Sequence, residues 1–275
     1  MAFHSIGGRS VAYRLLGAEA NPLVMLAHPL GMTQAVWDDL LPALLPHYRV
    51  LTWDLPGHGA SQAVSGEQIT PADLALEALA LVGLAGAERF HFAGTSIGGV
   101  VGQQLIAEHG ERLLSATLTN TGAVIGNPDL WNTRADRVRQ EGLAAMAQEI
   151  VPRWFAPAAF EQSPALKPGW CIQMGRGDDE SYAQLCEMLG RDTFTGKLSD
   201  KRVNVQLLGG SKDMATPPAT LEALSAELDG APLEILDGVG HVPSVEAPTL
   251  FAQKLLQVIS ASVTGRVKES ERYKP

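Results

Sequence analysis

The stretch Gly94-Thr95-Ser96-Ile97-Gly98-Gly99 has the residue types and spacing of a reactive serine on a tight turn. An apolar run, Arg89-Phe90-His91-Phe92-Ala93, leads into it, and a helix-like run, Val100 to Ala107, leads out. A strand that turns this sharply into a helix forces its central residue into a strained backbone conformation. Gly94 and Gly98 remove the Cβ atoms that would collide there. The strain lifts the Ser96 hydroxyl clear of the sheet. The following helix points its first N–H groups at any oxyanion that forms beside it. A Gly-rich connection of an ordinary α/β fold has the same composition, so the partners of Ser96 decide the matter.

A serine nucleophile needs a base for its proton, and the base needs an acid to fix its tautomer. Asp213 follows the apolar run Val203–Leu208, in Gly209-Gly210-Ser211-Lys212-Asp213. His241 follows Leu233–Leu236, in Asp237-Gly238-Val239-Gly240-His241. Alone, Asp213 reads as a turn carboxylate and His241 as a solvated loop histidine. Together, each directly after a strand, they read as the acid and base of Ser96. Among competing acids, Asp237 is too local to reach the imidazole from the far side. Asp229 falls at a helix end, and Glu246 is placed to hold the His241 loop. The two N–H donors of an oxyanion hole are expected from Ile97, which follows the serine, and from Leu30. Pro29 has no N–H to offer. His28 and His58 read as loop organisers, since neither has metal-ligand spacing.

These residues need a scaffold, and the apolar pattern supplies one. Residues 2–6 and 10–16 alternate around Gly7-Gly8 as a hairpin. Leu23–Ala27, Arg49–Asp54, Arg89–Ala93 and Leu114–Thr119 read as strands. Helices are expected from about Trp37 to Leu45, from Thr70-Pro71 to Leu84, and after Ser96. The alternation predicts an α/β fold, a mostly parallel twisted sheet with helices on both faces. It breaks from residue 122 to 201, where Asn127-Pro128 starts a helix through Met146 and the pattern holds no buried strand. We read 1–121 with 202–263 as the core domain, 122–201 as a helical cap insertion, and 264–275 as a polar tail. A helix from Thr216-Pro217 and a last one from about Thr249 to Ser260 complete the core.

Bulk properties exclude several classes. The chain has 275 residues, 45% of them hydrophobic and 19% charged, with mean hydropathy near zero, as in a globular domain. Net charge is −9, and the basic residues cluster only after residue 265, so neither nucleic acid nor an anionic membrane is an expected partner. An anionic substrate would depend on a local cation. Two cysteines, Cys171 and Cys186, suggest free thiols in a reducing compartment. No signal-peptide pattern or apolar run of about 20 residues is present, so a cytoplasmic location is expected.

His28-Pro29-Leu30-Gly31, Asp54-Leu55-Pro56-Gly57-His58-Gly59-Ala60-Ser61, the Ser96 turn, Asp213 and His241-Val242-Pro243 together resemble the α/β-hydrolase superfamily over about residues 10–260. In that superfamily the serine, acid and histidine follow in this order. Within it the chain is most similar to 3-oxoadipate enol-lactonases. The similarity rests on Leu30-Gly31-Met32 before Trp37-Asp38, Asn120 to Gly126, Leu130 to Arg134, Arg153-Trp154-Phe155 and Ala215 to Pro218. The segment Gly169–Asp192 departs from the group, as do Thr95 and Ile97. The resemblance implies hydrolysis of a five-membered enol-lactone carrying an acetate side chain, in aromatic catabolism; chemistry by Ser96, Asp213 and His241 needs neither metal nor organic cofactor, so none is expected. Its substrate anion would want a cap cation, Arg134 or else Arg153, and Trp131 and Trp154 would line the apolar part of the pocket. General carboxylesterases and acyl-homoserine lactonases share the same motifs. A ligand-binding protein of this fold would be expected to have lost a triad member. Dehalogenases and epoxide hydrolases of this fold place Asp where Ser96 stands.

Overall fold

The computed structural model describes residues 1–64, 66 and 68–272, with side chains described to residue 261. The chain opens with the hairpin β1 (Ala2–Ile6) and β2 (Arg9–Leu16), turning at Gly7 and Gly8, both at positive φ. β3 (Leu23–Ala27) leads through a 3-10 turn, Gln34–Leu40, to α1 (Leu41–Leu44) and β4 (Arg49–Trp53). The single helix expected near Trp37–Leu45 is thus two pieces. Pro42 supplies no N–H for an α-helical bond to Asp38, and the Asp38 carbonyl is met instead by the Leu41 N–H.

α2 (Pro71–Leu84) begins where Thr70-Pro71 predicts it. Thr70 and Asp73 cap each other's backbone N–H groups, a complete capping box. β5 (Phe90–Thr95), α3 (Ile97–His109) and β6 (Leu113–Thr119) follow. From there to the next strand the chain is helical: α4 (Pro128–Glu141), α5 (Leu143–Ile150), α6 (Pro157–Gln162), α7 (Leu166–Met174) and α8 (Asp179–Arg191). The expected helix through Met146 breaks at Gly142, whose φ of 79° no α-helix accommodates. Asp179 then caps the new start by accepting the Leu143 N–H at 2.8 Å. Arg139 of α4 pairs with Glu180 and Glu187 of α8, locking these two helices together.

The strands resume with β7 (Val205–Gly210), α9 (Pro218–Glu227), β8 (Leu233–Leu236), α10 (Pro243–Glu246) and α11 (Pro248–Arg272). The last helix was expected to stop near Ser260 and instead continues to Arg272. Sheet order is β1-β2-β4-β3-β5-β6-β7-β8. The first two pairings, β1 with β2 and β2 with β4, are antiparallel, and the others are parallel. Every residue of β3 and β5 is buried, so the sheet centre is covered on both faces. Chain order reverses between β3 and β5, and the crevice beyond the carboxyl ends of such strands is where α/β sheets bind ligands. Among the described residues no helix is long and apolar enough to cross a membrane.

Contact between α3 and the sheet centre is very close. A Cβ on Gly98 would lie 2.2 Å from the Ala27 carbonyl oxygen, and one on Gly94 would lie 2.3 Å from the Gly98 carbonyl oxygen. Both obstacles are backbone and cannot swing aside. Gly98→Ala should therefore destabilise the fold by about 1–3 kcal/mol, measured by urea unfolding, although alanine favours helices.

Candidate active site

The loops after five neighbouring parallel strands meet at one end of the sheet. β3 delivers Leu30, β5 Ser96, β6 Asn120, β7 Asp213 and β8 His241. Ser96 sits at φ 58° and ψ −118°, between the last residue of β5 and the first of α3. This strained geometry is what the flanking glycines predict. It is held by backbone and side-chain bonds: the Ser96 N–H donates to the Thr119 carbonyl at 3.0 Å, and the Thr121 hydroxyl donates to the Ser96 carbonyl at 2.8 Å.

Ser96 and His241 line a common cavity of about 240 Å³. Asp213 lies behind the histidine, and its Oδ2 accepts from His241 Nδ1 at 2.8 Å. That carboxylate is buried and heavily solvated by protein. Oδ2 also accepts from the Thr216 hydroxyl at 2.7 Å and Asn120 Nδ2 at 2.9 Å, and Oδ1 accepts from the Ala215 and Thr216 N–H groups at 2.8 and 2.9 Å. Burial opposes ionisation of Asp213. The His241 charge and the bonds from His241 and Thr216 outweigh it and hold the carboxyl far below its ordinary range. With Nδ1 tied to Asp213, the remaining imidazole nitrogen, Nε2, is the one that can exchange a proton with a group in the cavity.

Leu30 lines the cavity, and Ile97 is the first residue of α3. No group among the described residues accepts from either N–H. The Gly31 N–H, next to Leu30, is already taken by His58 Nε2 at 2.9 Å. His28 Nε2 accepts the Leu55 N–H at 2.9 Å. Because each Nε2 accepts, each Nδ1 carries the proton, and these donate to the Pro29 and Pro56 carbonyls at 2.8 Å. The two histidines are loop organisers, as the sequence suggests. Burial, with the neighbouring His58, lowers the His28 pKa to about 4, and burial lowers that of His58.

The helical segment supplies the opposite wall. Trp131, Arg134, Arg153 and Trp154 all line the cavity, with Ile125, Ile150 and Tyr182. Arg134 lies 5.0 Å above the Trp131 ring and faces the Tyr182 hydroxyl. Among the described residues neither Arg134 nor Arg153 forms an ion pair, whereas nearby Arg137 and Arg139 each pair with two glutamates. Both tryptophans are largely buried, so each packs the segment as well as lining the cavity.

Three contributors escape the sequence reading. Asn120 bridges Asp213 and the Gly240 carbonyl, the latter at 3.1 Å, and Thr216 supports the same carboxylate. Tyr182 enters from α8. The one local signal for Asn120 is its residue type directly after a buried strand. Its φ of 47° is a conformation that asparagine tolerates better than most residues. Asp237, expected to be too local, instead accepts from the Ser211 hydroxyl at 3.0 Å.

The neutral His28 makes a pH test possible. The unfolded chain binds a proton below about pH 6.5, and the folded protein resists it to about pH 4. The stabilisation from neutral His28 is therefore complete above 6.5 and lost as pH falls toward 4. His28→Gln should cost most stability at neutral pH. The gap to wild type, measured by urea unfolding, should narrow as pH falls below 6.5.

Comparison with known proteins bears on the same region. The chain is 30% identical to the 3-oxoadipate enol-lactonase 2 of Acinetobacter baylyi over 239 residues, covering 87% of this chain and 89% of that protein. It is 29% identical to a putative carbamate hydrolase, RutD, of Pseudomonas savastanoi pv. phaseolicola, covering 94% of this chain and 99% of that one. The crystal structure of the enol-lactonase from Burkholderia xenovorans LB400 superposes with a TM-score of 0.90 at 30% identity, covering 94% of this chain and all of that one. The sequence model of the Alpha/beta hydrolase family matches residues 23–254, which include the strand-end loops carrying Ser96, Asp213 and His241. With sheet order, strand-to-helix turn and family match in agreement, the chain belongs to the alpha/beta hydrolase family.

Proposed function

We propose that the protein is a serine hydrolase that opens a small anionic lactone, 3-oxoadipate enol-lactone, through an acyl-enzyme. The observation that carries the reading is the Asp213–His241 hydrogen bond behind a cavity lined by both His241 and Ser96. In this reading Ser96 Oγ attacks the lactone carbonyl while His241 Nε2 takes its proton. Asp213 stabilises the imidazolium that results. The carbonyl oxygen becomes an oxyanion and accepts from the Leu30 and Ile97 N–H groups, each donor contributing about 2.7–4 kcal/mol. His241 then gives its proton to the departing enolate oxygen. Water, deprotonated by the same histidine, releases the acid and restores Ser96. Proton transfer and oxyanion stabilisation are complete within these groups, so the chemistry calls on neither metal nor organic cofactor.

The helical segment 122–201 acts as the cap. Arg134 and Arg153, which form no salt bridge among the described residues, line the wall of a cavity in a protein of net charge −9. They give a substrate carboxylate a local partner that the overall field does not. Trp131 and Trp154 cover the apolar ring. Similarity to an enol-lactonase in sequence and in structure supports the substrate. A second reading, a carboxylesterase for uncharged esters, is favoured by the stacking of Arg134 on Trp131, which gives that arginine a packing partner of its own.

Turnover of 3-oxoadipate enol-lactone and of p-nitrophenyl acetate separates the two. Ser96→Ala should lower both rates by at least about 10⁴-fold. Arg134→Ala should raise KM for the lactone by about 10- to 100-fold, the loss of one hydrogen bond to a charged group, and leave the neutral ester unaffected. Ester preference that Arg134→Ala does not change would select the carboxylesterase. Retention of both activities in Ser96→Ala would remove the serine mechanism.

A further inference from the structure

Glu246 stands shortly after His241 in the chain, at the end of α10, and it joins two walls of the cavity. Its Oε2 accepts the N–H of Gly240, the residue before His241, at 2.6 Å. Its Oε1 accepts the N–H of Ala156, in the helical segment, at 2.7 Å. A main-chain bond reinforces the junction: the His241 N–H donates to the Trp154 carbonyl at 2.8 Å. Trp154 and His241 both line the cavity, so this contact ties the histidine wall directly to the cap wall.

Space at the junction is also limited, though less so than at the Ser96 turn. A Cβ on Gly240 would lie 2.7 Å from the Ala156 nitrogen and 3.0 Å from the Phe155 carbonyl carbon. The two segments approach closer than any side chain at 240 would permit. Glu246 forms no ion pair among the described residues, so the two backbone N–H groups are its hydrogen-bond partners. The titratable groups acting on it are Asp213 and His241.

We propose that Glu246 is a positioning residue that couples the cap segment at residues 154–156 to the His241 loop, so that the cavity wall and the imidazole are placed together. The inference rests on the role given to Ser96 and His241 above. Burial pushes the Glu246 carboxyl up to about 7, the Asp213 charge acting the same way, while the two N–H bonds and His241 oppose. Protonation replaces one of two strong acceptor oxygens with a weak one. A protonated Glu246 would therefore hold the junction less tightly than an ionised one.

Labelling of Ser96 by a small fluorophosphonate reads the competence of Ser96 and His241 without involving the cap cations. Ser96→Ala is the control: labelling that survives it overturns the serine assignment itself. Given a labelled Ser96, Glu246→Gln should react about 10-fold more slowly than wild type near pH 8, because an amide can satisfy one N–H and presents a donor to the other. The gap should close to about 2-fold near pH 5.5, where the wild-type carboxyl is itself protonated. Ala156→Pro removes one N–H and sets its ring Cδ against Glu246 Oε1, so the carboxylate keeps only the Gly240 N–H. Ala156 has φ −64°, which proline adopts, so this variant tests the junction even where Glu246→Gln fails to fold. It should slow labelling near pH 8 to a similar degree. Wild-type rates in both variants, or a Glu246→Gln deficit that does not change with pH, would overturn the coupling and leave Glu246 a structural residue only.

Discussion

The site depends on how closely α3 can approach the centre of the sheet. Gly98 lies against the Ala27 carbonyl at a separation that excludes any Cβ, and Gly94 lies against Gly98 in the same way. That approach makes the turn tight enough to hold Ser96 at φ 58°. It also brings the loops after β3 and β5 together, so that Leu30 and Ile97 belong to one region of the molecule.

Behind that turn the polar groups are arranged so that each buried charge or ring has its partners in place. Asp213 takes hydrogen bonds on both oxygens, which is what allows a buried carboxylate to stay ionised. His28 and His58 solve the opposite problem. Each is neutral, with one nitrogen accepting and the other donating to backbone, and together they tie the loop around Leu30 to the loop at Leu55 and Pro56. In the proposed reaction, charge is kept where a proton is to move and removed where only shape is needed.

The wall supplied by the helical segment is built on different principles. Arg139 pairs with glutamates of α8, Arg137 with one of its own helix and one of α5, and Arg134 stacks on Trp131 instead. Breaking the expected long helix at Gly142 gives α4 and α5 separate axes, and residues of both, Arg134 and Ile150 among them, reach the cavity. The Glu246 junction then joins this wall to the strand-end loops by hydrogen bonds to backbone alone, a connection that side-chain packing at Gly240 could not make.

Local chemistry made much of this legible in the chain. Glycine spacing around Ser96, the cap at Thr70-Pro71, and continuous apolar runs such as Leu23–Ala27 report backbone conformation within a few residues, so the sheet, its connecting helices and the loop positions of Asp213 and His241 follow from them. Helix ends were less legible where one residue overrides periodicity, as Pro42 and Gly142 do, or where a polar tail continues a helix to Arg272. The tertiary structure decided which distant residues meet. Asn120 beneath Asp213, Thr216 on the same carboxylate, Tyr182 beside Arg134 and Ala156 on Glu246 are contacts set by the order of strands in the sheet and the packing of the helical segment on it. No periodicity carries that information, because such pairings arise only when segments far apart in sequence close around a shared core.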